Sequence, residues 1–200
     1  MTEDNVPASG SPVLPYTPSP ELKVTEWSEA IYTELKDWLP TSQARWEWWP
    51  PGYLVLRIVR FLDQPIEPII IDTCDDVLSI EFGHWDTTLP EDGDHYDFDP
   101  CREAKTAQTA KTVALDWLHG RIATAVYLNS QGKWCGSKLL ERPEDYSALA
   151  DIDWIAFNNP TQVEIRTSVR SDWLKYQIID GRLQSMPTRA DSGKPNRDIP

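Results

Sequence analysis

The stretch 80–100 contains most of the side chains in this chain that are suited to chemistry. It reads I-E-F-G-H-W-D-T-T-L-P-E-D-G-D-H-Y-D-F-D-P and includes two of the three histidines, a tryptophan and five aspartates. We interpret the stretch as a loop that leaves an apolar strand at Gly83 and ends just before a helix. If any part of the chain acts on another molecule, we expect it to be this one.

The acidic half of this stretch is a candidate cation site, because carboxylate oxygens and imidazole nitrogens are common metal ligands. If a metal binds, the expected ligands are His84, His95, Asp92 and Asp94. The calcium-loop pattern D-x-D-x-D-G is not met, because Tyr96 and Asp97 occupy its third ligand and glycine positions. A solvated acidic turn, with Asp97 or Asp99 near the positive N-terminus of the next helix, explains these residues without a metal. We therefore predict no cofactor.

A histidine beside a carboxylate is a candidate general acid–base pair, since such an imidazole titrates near neutral pH. His84 with Asp86, or His95 with a neighbouring aspartate, fits this description. Neither pair is accompanied by a nucleophile, a glycine-rich phosphate loop or the motifs G-x-S-x-G and H-E-x-x-H. The sequence favours a protein that is not an enzyme. A metal-assisted enzyme that uses His84, His95 and the aspartates is the alternative.

Trp85 differs from the other tryptophans because it stands in this polar loop. A tryptophan ringed by carboxylates is typical of an anchor in a protein–protein interface. The alternative is that its side chain folds back on the edge of the sheet. The predicted partner-binding residues are Trp85, Asp86, Asp92, Asp94, Asp97 and Asp99.

The overall charge indicates what kind of partner this surface suits. A formal net charge of −13 repels the phosphates of nucleic acids and anionic membranes, so we predict binding to neither. The same charge attracts a basic protein partner, although many proteins are acidic for solubility alone. A structural module without a partner or an activity also fits the composition, and the sequence does not fix the oligomeric state.

The predicted location of the protein is the cytoplasm. The first residues lack the basic segment and apolar core of a signal peptide, and no apolar run approaches the roughly 20 residues of a membrane span. The three cysteines are Cys74, Cys101 and Cys135, which are far apart and form no C-x-x-C pair. Free thiols in a reducing compartment are the simplest interpretation.

Apolar periodicity predicts two helices and about seven strands. The helices are expected over 26–39 and, as the central helix, over 103–118. The clearest strands are 54–61, 69–72 and 77–82 as a meander, and 122–128 with 133–140 and 162–169 with 173–179 as two hairpins. The fold class is therefore α+β, with a mainly antiparallel sheet (a meander plus two hairpins) packed against one central helix and an N-terminal helix.

The chain is divided into an arm, one domain and a tail. Residues 1–22 form a predicted flexible Pro-rich arm, 23–186 a single α+β domain and 187–200 a flexible tail. The segment W-E-W-W-P-P-G-Y at 46–53 is interpreted as an aromatic corner. It either covers one end of the core or presents a platform for a ligand.

The segment F-G-H-W-D-T-T at 82–88 resembles a strand-end motif, F-G-x-[WY]-H-x-H, of small bacterial proteins that serve as immunity proteins in polymorphic toxin systems. Phe82, Gly83, Trp85 and Thr87 match, whereas Asp86 and Thr88 stand where the motif has histidines. The resemblance implies a helix soon after the motif, then a short hairpin and a closing strand pair. It also implies a cytoplasmic, non-enzymatic inhibitor of a cognate toxin, without any role that the motif histidines carry.

Overall fold

The computed structural model describes residues 14–39, 43–59, 68–89, 101–141, 159–179 and 182–186. These residues form two α-helices and two antiparallel sheets, which confirms the predicted α+β class. The helices are α1 (Glu26–Leu35) and α2 (Arg102–Leu118), and a short 3-10 turn spans Cys74–Asp76. The predicted division into an arm (1–22), a domain (23–186) and a tail (187–200) stays a prediction, and residues 1–13 and 187–200 lie outside the described residues.

The first sheet, sheet A, has six strands in chain order. They are β1 (Leu14–Pro15), β2 (Ala44–Trp49), β3 (Tyr53–Ile58), β4 (Ile69–Asp72), β5 (Leu78–Phe82) and β6 (Trp85–Leu89). The second, sheet B, has the spatial order β11–β10–β9–β7–β8. Its strands are β7 (Ala123–Leu128), β8 (Trp134–Leu140), β9 (Gln162–Thr167), β10 (Arg170–Ile179) and β11 (Arg182–Ser185). The predicted meander is β3–β5, and the predicted hairpins are β7–β8 and β9–β10.

The structure corrects the interpretation of 80–100 as one continuous loop, because residues 85–89 form β6. Its side chains alternate, with Trp85, Thr87 and Leu89 turned toward the interior and Asp86 and Thr88 exposed. The strands β5 and β6 are joined by two residues with positive φ, 54° at Gly83 and 65° at His84. Positive φ at both central residues is typical of a tight hairpin turn, which G-H signals less clearly than N-G.

Three other strands were not predicted, namely β1, β2 and β11. Strand β2 replaces most of the expected aromatic corner, and Trp46, Trp48 and Trp49 are all half-buried within it. A turn at 50–52 follows it. Strand β1 pairs with β2 at the edge of sheet A, and β11 pairs with β10 at the edge of sheet B.

The two helices lie side by side against one face of sheet A. Thr25 caps α1, because its hydroxyl accepts a hydrogen bond from the Ser28 N–H at 3.1 Å. The helix ends at Leu35 rather than at the predicted Leu39. Beyond Leu35 the chain continues in a turn with a hydrogen bond over three residues, in which the Trp38 N–H donates to the Leu35 carbonyl at 3.1 Å.

Helical spacing predicts a face of α2 that contains Ala104, Ala107, Lys111, Ala114, Leu115 and Leu118. The face that is buried is rotated from this one. It consists of Thr106, Ala107, Ala110, Ala114 and Trp117. Ala104 is exposed and Lys111 only half-buried, so the expected line through these two residues is wrong. The small alanines allow the helix to approach sheet A closely, and Trp117 lies 4.7 Å from Phe82 between ring centroids. Gly120 ends the helix region with φ 69°, the left-handed conformation that glycine commonly adopts there.

Two further findings concern the described part of the chain as a whole. None of its helices has the length and apolar character that crossing a membrane requires. No disulfide joins the three cysteines, all of which lie in described segments.

We expect Asp72→Asn to raise the free energy of unfolding at pH 7 by less than about 1 kcal/mol. Burial raises the pKa of Asp72 and the nearby Asp75 adds to this, although the Cys74 N–H donates to the carboxylate at 3.1 Å. A raised pKa means that the ionised form disfavours the folded state once the pH exceeds the ordinary value of 3.8. Asparagine keeps the acceptor oxygen without the charge.

Urea unfolding at several pH values measures this effect. The gain should shrink as the pH falls through the pKa of the folded state, where Asp72 becomes neutral. The exposed Asp37→Asn is the control, with an expected change within about 0.5 kcal/mol. An equal gain from both variants would show that net charge, not burial, is responsible.

Candidate functional site

The β5–β6 turn is the point at which the two sheets meet. Thr124 of β7 donates its hydroxyl to the Gly83 carbonyl at 2.8 Å, and Ser137 of β8 donates its hydroxyl to the His84 carbonyl. Gly83 itself is buried against the ring of Trp117. The turn is therefore fixed by side chains from both strands of the β7–β8 hairpin and from α2.

The imidazole of His84 is held by sheet B as well. Arg166 Nη1 lies 2.8 Å from His84 Nδ1. Since a guanidinium can only donate, Nδ1 accepts, and a neutral ring then carries its hydrogen on Nε2. The guanidinium of Arg166 lies over the Trp173 ring, 4.1 Å from the centroid. This contact orients Arg166 toward the turn.

Glu164 balances the buried charge of Arg166. Its Oε2 is 3.0 Å from Arg166 Nη2, and its Oε1 is 2.8 Å from Lys175 Nζ. Burial alone would raise the pKa of Glu164, but the hydrogen bonds and charges of Lys175 and Arg166 outweigh it, so the pKa lies below the ordinary value. Glu164 is therefore an anion at neutral pH, and the charge of Arg166 is compensated inside the protein.

A cleft of about 470 Å³ opens beside the β5–β6 turn. We call it the acidic cleft. Its apolar side is formed by Pro68 and Ile70, its charged side by Glu81 and Asp86, and His84 and Trp134 also line it. The volume is within the range of roughly 300–1,000 Å³ that is usual for sites that bind small groups.

The two carboxylates of the acidic cleft are direct neighbours. Glu81 on β5 is paired with Asp86 on β6, and both side chains are exposed. Like charges placed directly opposite each other on adjacent strands destabilise a sheet. Among the described residues that line the cleft there is no lysine or arginine. The described lining of the cleft thus carries a negative charge that a cationic group would relieve.

Trp134 is one of the site residues that sequence reasoning missed. Its side chain is 58% exposed, yet its Nε1 donates to the Ser137 hydroxyl at 2.8 Å. Because Ser137 in turn binds the His84 carbonyl, the indole is oriented by the same hydrogen bonds that fix the turn. The sequence places Trp134 at the start of a strand next to the turn at 129–132, but contains no signal that links it to residues 81–86.

The predicted partner-binding residues are placed as follows. Asp86 lies in the acidic cleft, whereas Trp85 is half-buried and packs on the core, with its ring centroid 5.1 Å from that of Phe82. The predicted alternative, in which Trp85 folds back at the edge of the sheet, describes its position. The remaining predicted residues, Asp92, Asp94, Asp97 and Asp99, lie outside the described residues.

The candidate metal site is described only in part. His84 lies at the border of the acidic cleft, while His95, Asp92 and Asp94 lie outside the described residues. Within the residues that are described, no group of three or more histidines, cysteines and carboxylates could hold a metal ion.

The chain was compared with models of protein families, with characterised proteins and with solved structures, and it matches none of them. The resemblance of residues 82–88 to immunity proteins of toxin systems therefore stays a prediction. The interpretation of the site depends on its geometry and charge.

Proposed function

We propose that this protein is an acidic interaction domain that binds a basic partner protein at the acidic cleft, and that it acts as an immunity-type inhibitor of a cognate bacterial toxin. The observation that carries the proposal is the pair Glu81 and Asp86, two exposed carboxylates opposite each other beside the exposed indole of Trp134. Tryptophan is enriched in interface hot spots, and negative charge beside it attracts a basic partner.

The net charge of −13 supports the same partner class. A toxin that degrades nucleic acid carries a basic cleft for the phosphate backbone. An acidic inhibitor is attracted to such a cleft over a long range, associates rapidly and blocks phosphate binding. The inhibitor needs no catalytic group for this function.

Support for the alternative, a metal-assisted enzyme, is weaker. In the proposed acid–base pair the imidazole of His84 would act together with Asp86, but its Nδ1 binds Arg166. Among the described residues of the cleft, no nucleophile is hydrogen-bonded to a general base, as catalysis of this kind requires.

We expect the triple variant Glu81→Gln, Asp86→Asn, Trp134→Ala to bind the partner at least about tenfold more weakly, because it loses the aromatic anchor and both cleft charges. The partner to test is the protein encoded by the adjacent gene, expressed together with this chain in a bacterial host. Growth measures protection from toxicity, and calorimetry at several salt concentrations measures affinity. The variant should also show a flatter dependence of affinity on salt.

The matched control is Glu29→Gln, Glu103→Gln, which removes two charges in the groove between α1 and α2. It should bind and protect like the unaltered protein. Full protection by the triple variant would exclude the acidic cleft as the binding surface. An adjacent gene for a metabolic enzyme that does not bind this chain would overturn the inhibitor function itself.

A further inference from the structure

The acidic cleft combines three features that together define the chemistry of a ligand. The first is a flat aromatic surface, the exposed indole of Trp134, whose Nε1 is bound to Ser137. An indole that is held by a hydrogen bond loses little conformational freedom when a ligand packs on it. Its electron-rich face attracts cations.

The second feature is the spacing of the two carboxylates. Glu81 and Asp86 occupy directly opposite positions on β5 and β6, where side chains on one face lie roughly 5 Å apart at Cβ. A planar guanidinium has five N–H donors in a fixed fork and can donate to two carboxylates at once. An ammonium group is a compact point charge without this fork.

The third feature is the apolar wall formed by Pro68 and Ile70. Such a wall suits the aliphatic stem of a long basic side chain, which packs on apolar surface while its charged end remains in polar surroundings. A small inorganic cation makes no use of such a wall. A free sugar has no charge with which to relieve the repulsion between Glu81 and Asp86.

We propose that the acidic cleft is a receptor for a single arginine side chain of the partner protein. The guanidinium donates to Glu81 and Asp86, its face lies against Trp134, and its stem packs along Ile70. This inference rests on the proposed function, since it names the group by which the basic partner is recognised. It makes Trp134 and the carboxylate pair the residues that determine specificity.

The test uses N-acetyl-arginine amide as the probe and the Trp134 indole N–H as the reporter in NMR spectra of the full chain. The signal is assigned by its loss in Trp134→Phe. We expect a saturable shift with a dissociation constant in the millimolar range, about what one exposed side chain contributes. N-acetyl-citrulline amide, which has the same shape without the charge, should cause no saturable shift.

The variant Glu81→Gln, Asp86→Asn should weaken binding of the arginine probe about fivefold, because two exposed ion pairs are lost. The control Glu29→Gln, Glu103→Gln should leave it unchanged. Thermal unfolding of both variants verifies that each is folded. Equal shifts with arginine and citrulline, or no saturable shift below about 50 mM, would overturn the inference, since higher concentrations screen the charges. Equal affinity for N-acetyl-lysine amide would overturn the preference for a guanidinium.

The inference and the proposed function can fail separately. If the partner depends on the acidic cleft but the arginine probe does not bind, the receptor for arginine is wrong and the interaction domain stands. If the probe binds but the partner ignores the triple variant, the arginine receptor stands and the proposed inhibitor surface is wrong.

Discussion

Gly83→Ala is expected to lower the free energy of unfolding by about 3 kcal/mol, which combines an unfavourable positive φ with steric overlap. A Cβ at position 83 would lie 2.7 Å from Trp117 Cη2 and 2.8 Å from the Thr124 hydroxyl. Trp117 is only 2% exposed and packs on Phe82, so its ring has no space into which to move. Urea denaturation at neutral pH measures the loss.

The matched control is Gly132→Ala, in the turn between β7 and β8. Gly132 has a similar positive φ of 72°, but no atom lies within 4 Å of the position that its Cβ would take. We expect a loss of about 1 kcal/mol there, from backbone conformation alone. The difference between the two variants isolates the steric contribution of the site. Equal losses would mean that the close packing at Gly83 is relieved without cost.

Glu164→Gln is expected to lower the free energy of unfolding by about 3 kcal/mol, because it leaves Arg166 buried without its counter-ion. The two side chains are 9% and 10% exposed. Since Arg166 also holds the His84 imidazole, the variant should in addition alter the NMR signal of the Trp134 indole beside it. Urea denaturation and the indole spectrum are the two measurements.

Asp116→Asn is the control for this prediction. It removes a partner from the exposed Arg121, whose side chain is 59% exposed, and should lower stability by less than about 1 kcal/mol. The pH dependence gives a second criterion. The pKa of Glu164 is lowered in the folded protein, so its contribution is present above the ordinary value of 4.5 and is lost as the pH falls through the folded pKa. The difference in the free energy of unfolding between Glu164→Gln and the unaltered protein should therefore vanish in acid. A difference that stays constant with pH would mean that it arises from packing and not from the charge of Glu164.

The fold class could be predicted because most strands are branched, apolar runs between clear turns. Strands β3 and β4, which read Y-L-V-L-R-I and I-I-I-D, are the best examples. Strand β6 was missed because its outer positions carry Asp86 and Thr88, which made an edge strand resemble a polar loop. Strand β2 was missed because its three tryptophans stand next to Pro50 and Pro51, which favour a turn. Pairing with β3 nevertheless holds this segment in an extended conformation.

Only part of the candidate site could be predicted. Asp86 was recognised because it lies in a polar segment after an apolar strand. Glu81 was not, since one exposed carboxylate in a strand is the ordinary alternation of a half-buried sheet. The indole of Trp134 is brought to the acidic cleft by contact between β6 and β8, and sequence periodicity contains no information on such a tertiary contact.

The hydrogen bonds that hold the β5–β6 turn have a consequence for the order of folding. They join Gly83 to Thr124, and His84 to Ser137 and Arg166, across 41, 53 and 82 residues of chain. Contacts that close such long loops form late, because the entropy of loop closure must be overcome first. On the ribosome, a nascent chain that has emerged only as far as β6 carries both carboxylates but lacks the indole and the arginine that complete their surroundings. The binding that we propose for the acidic cleft is therefore expected only after β9 has been synthesised and has joined sheet B.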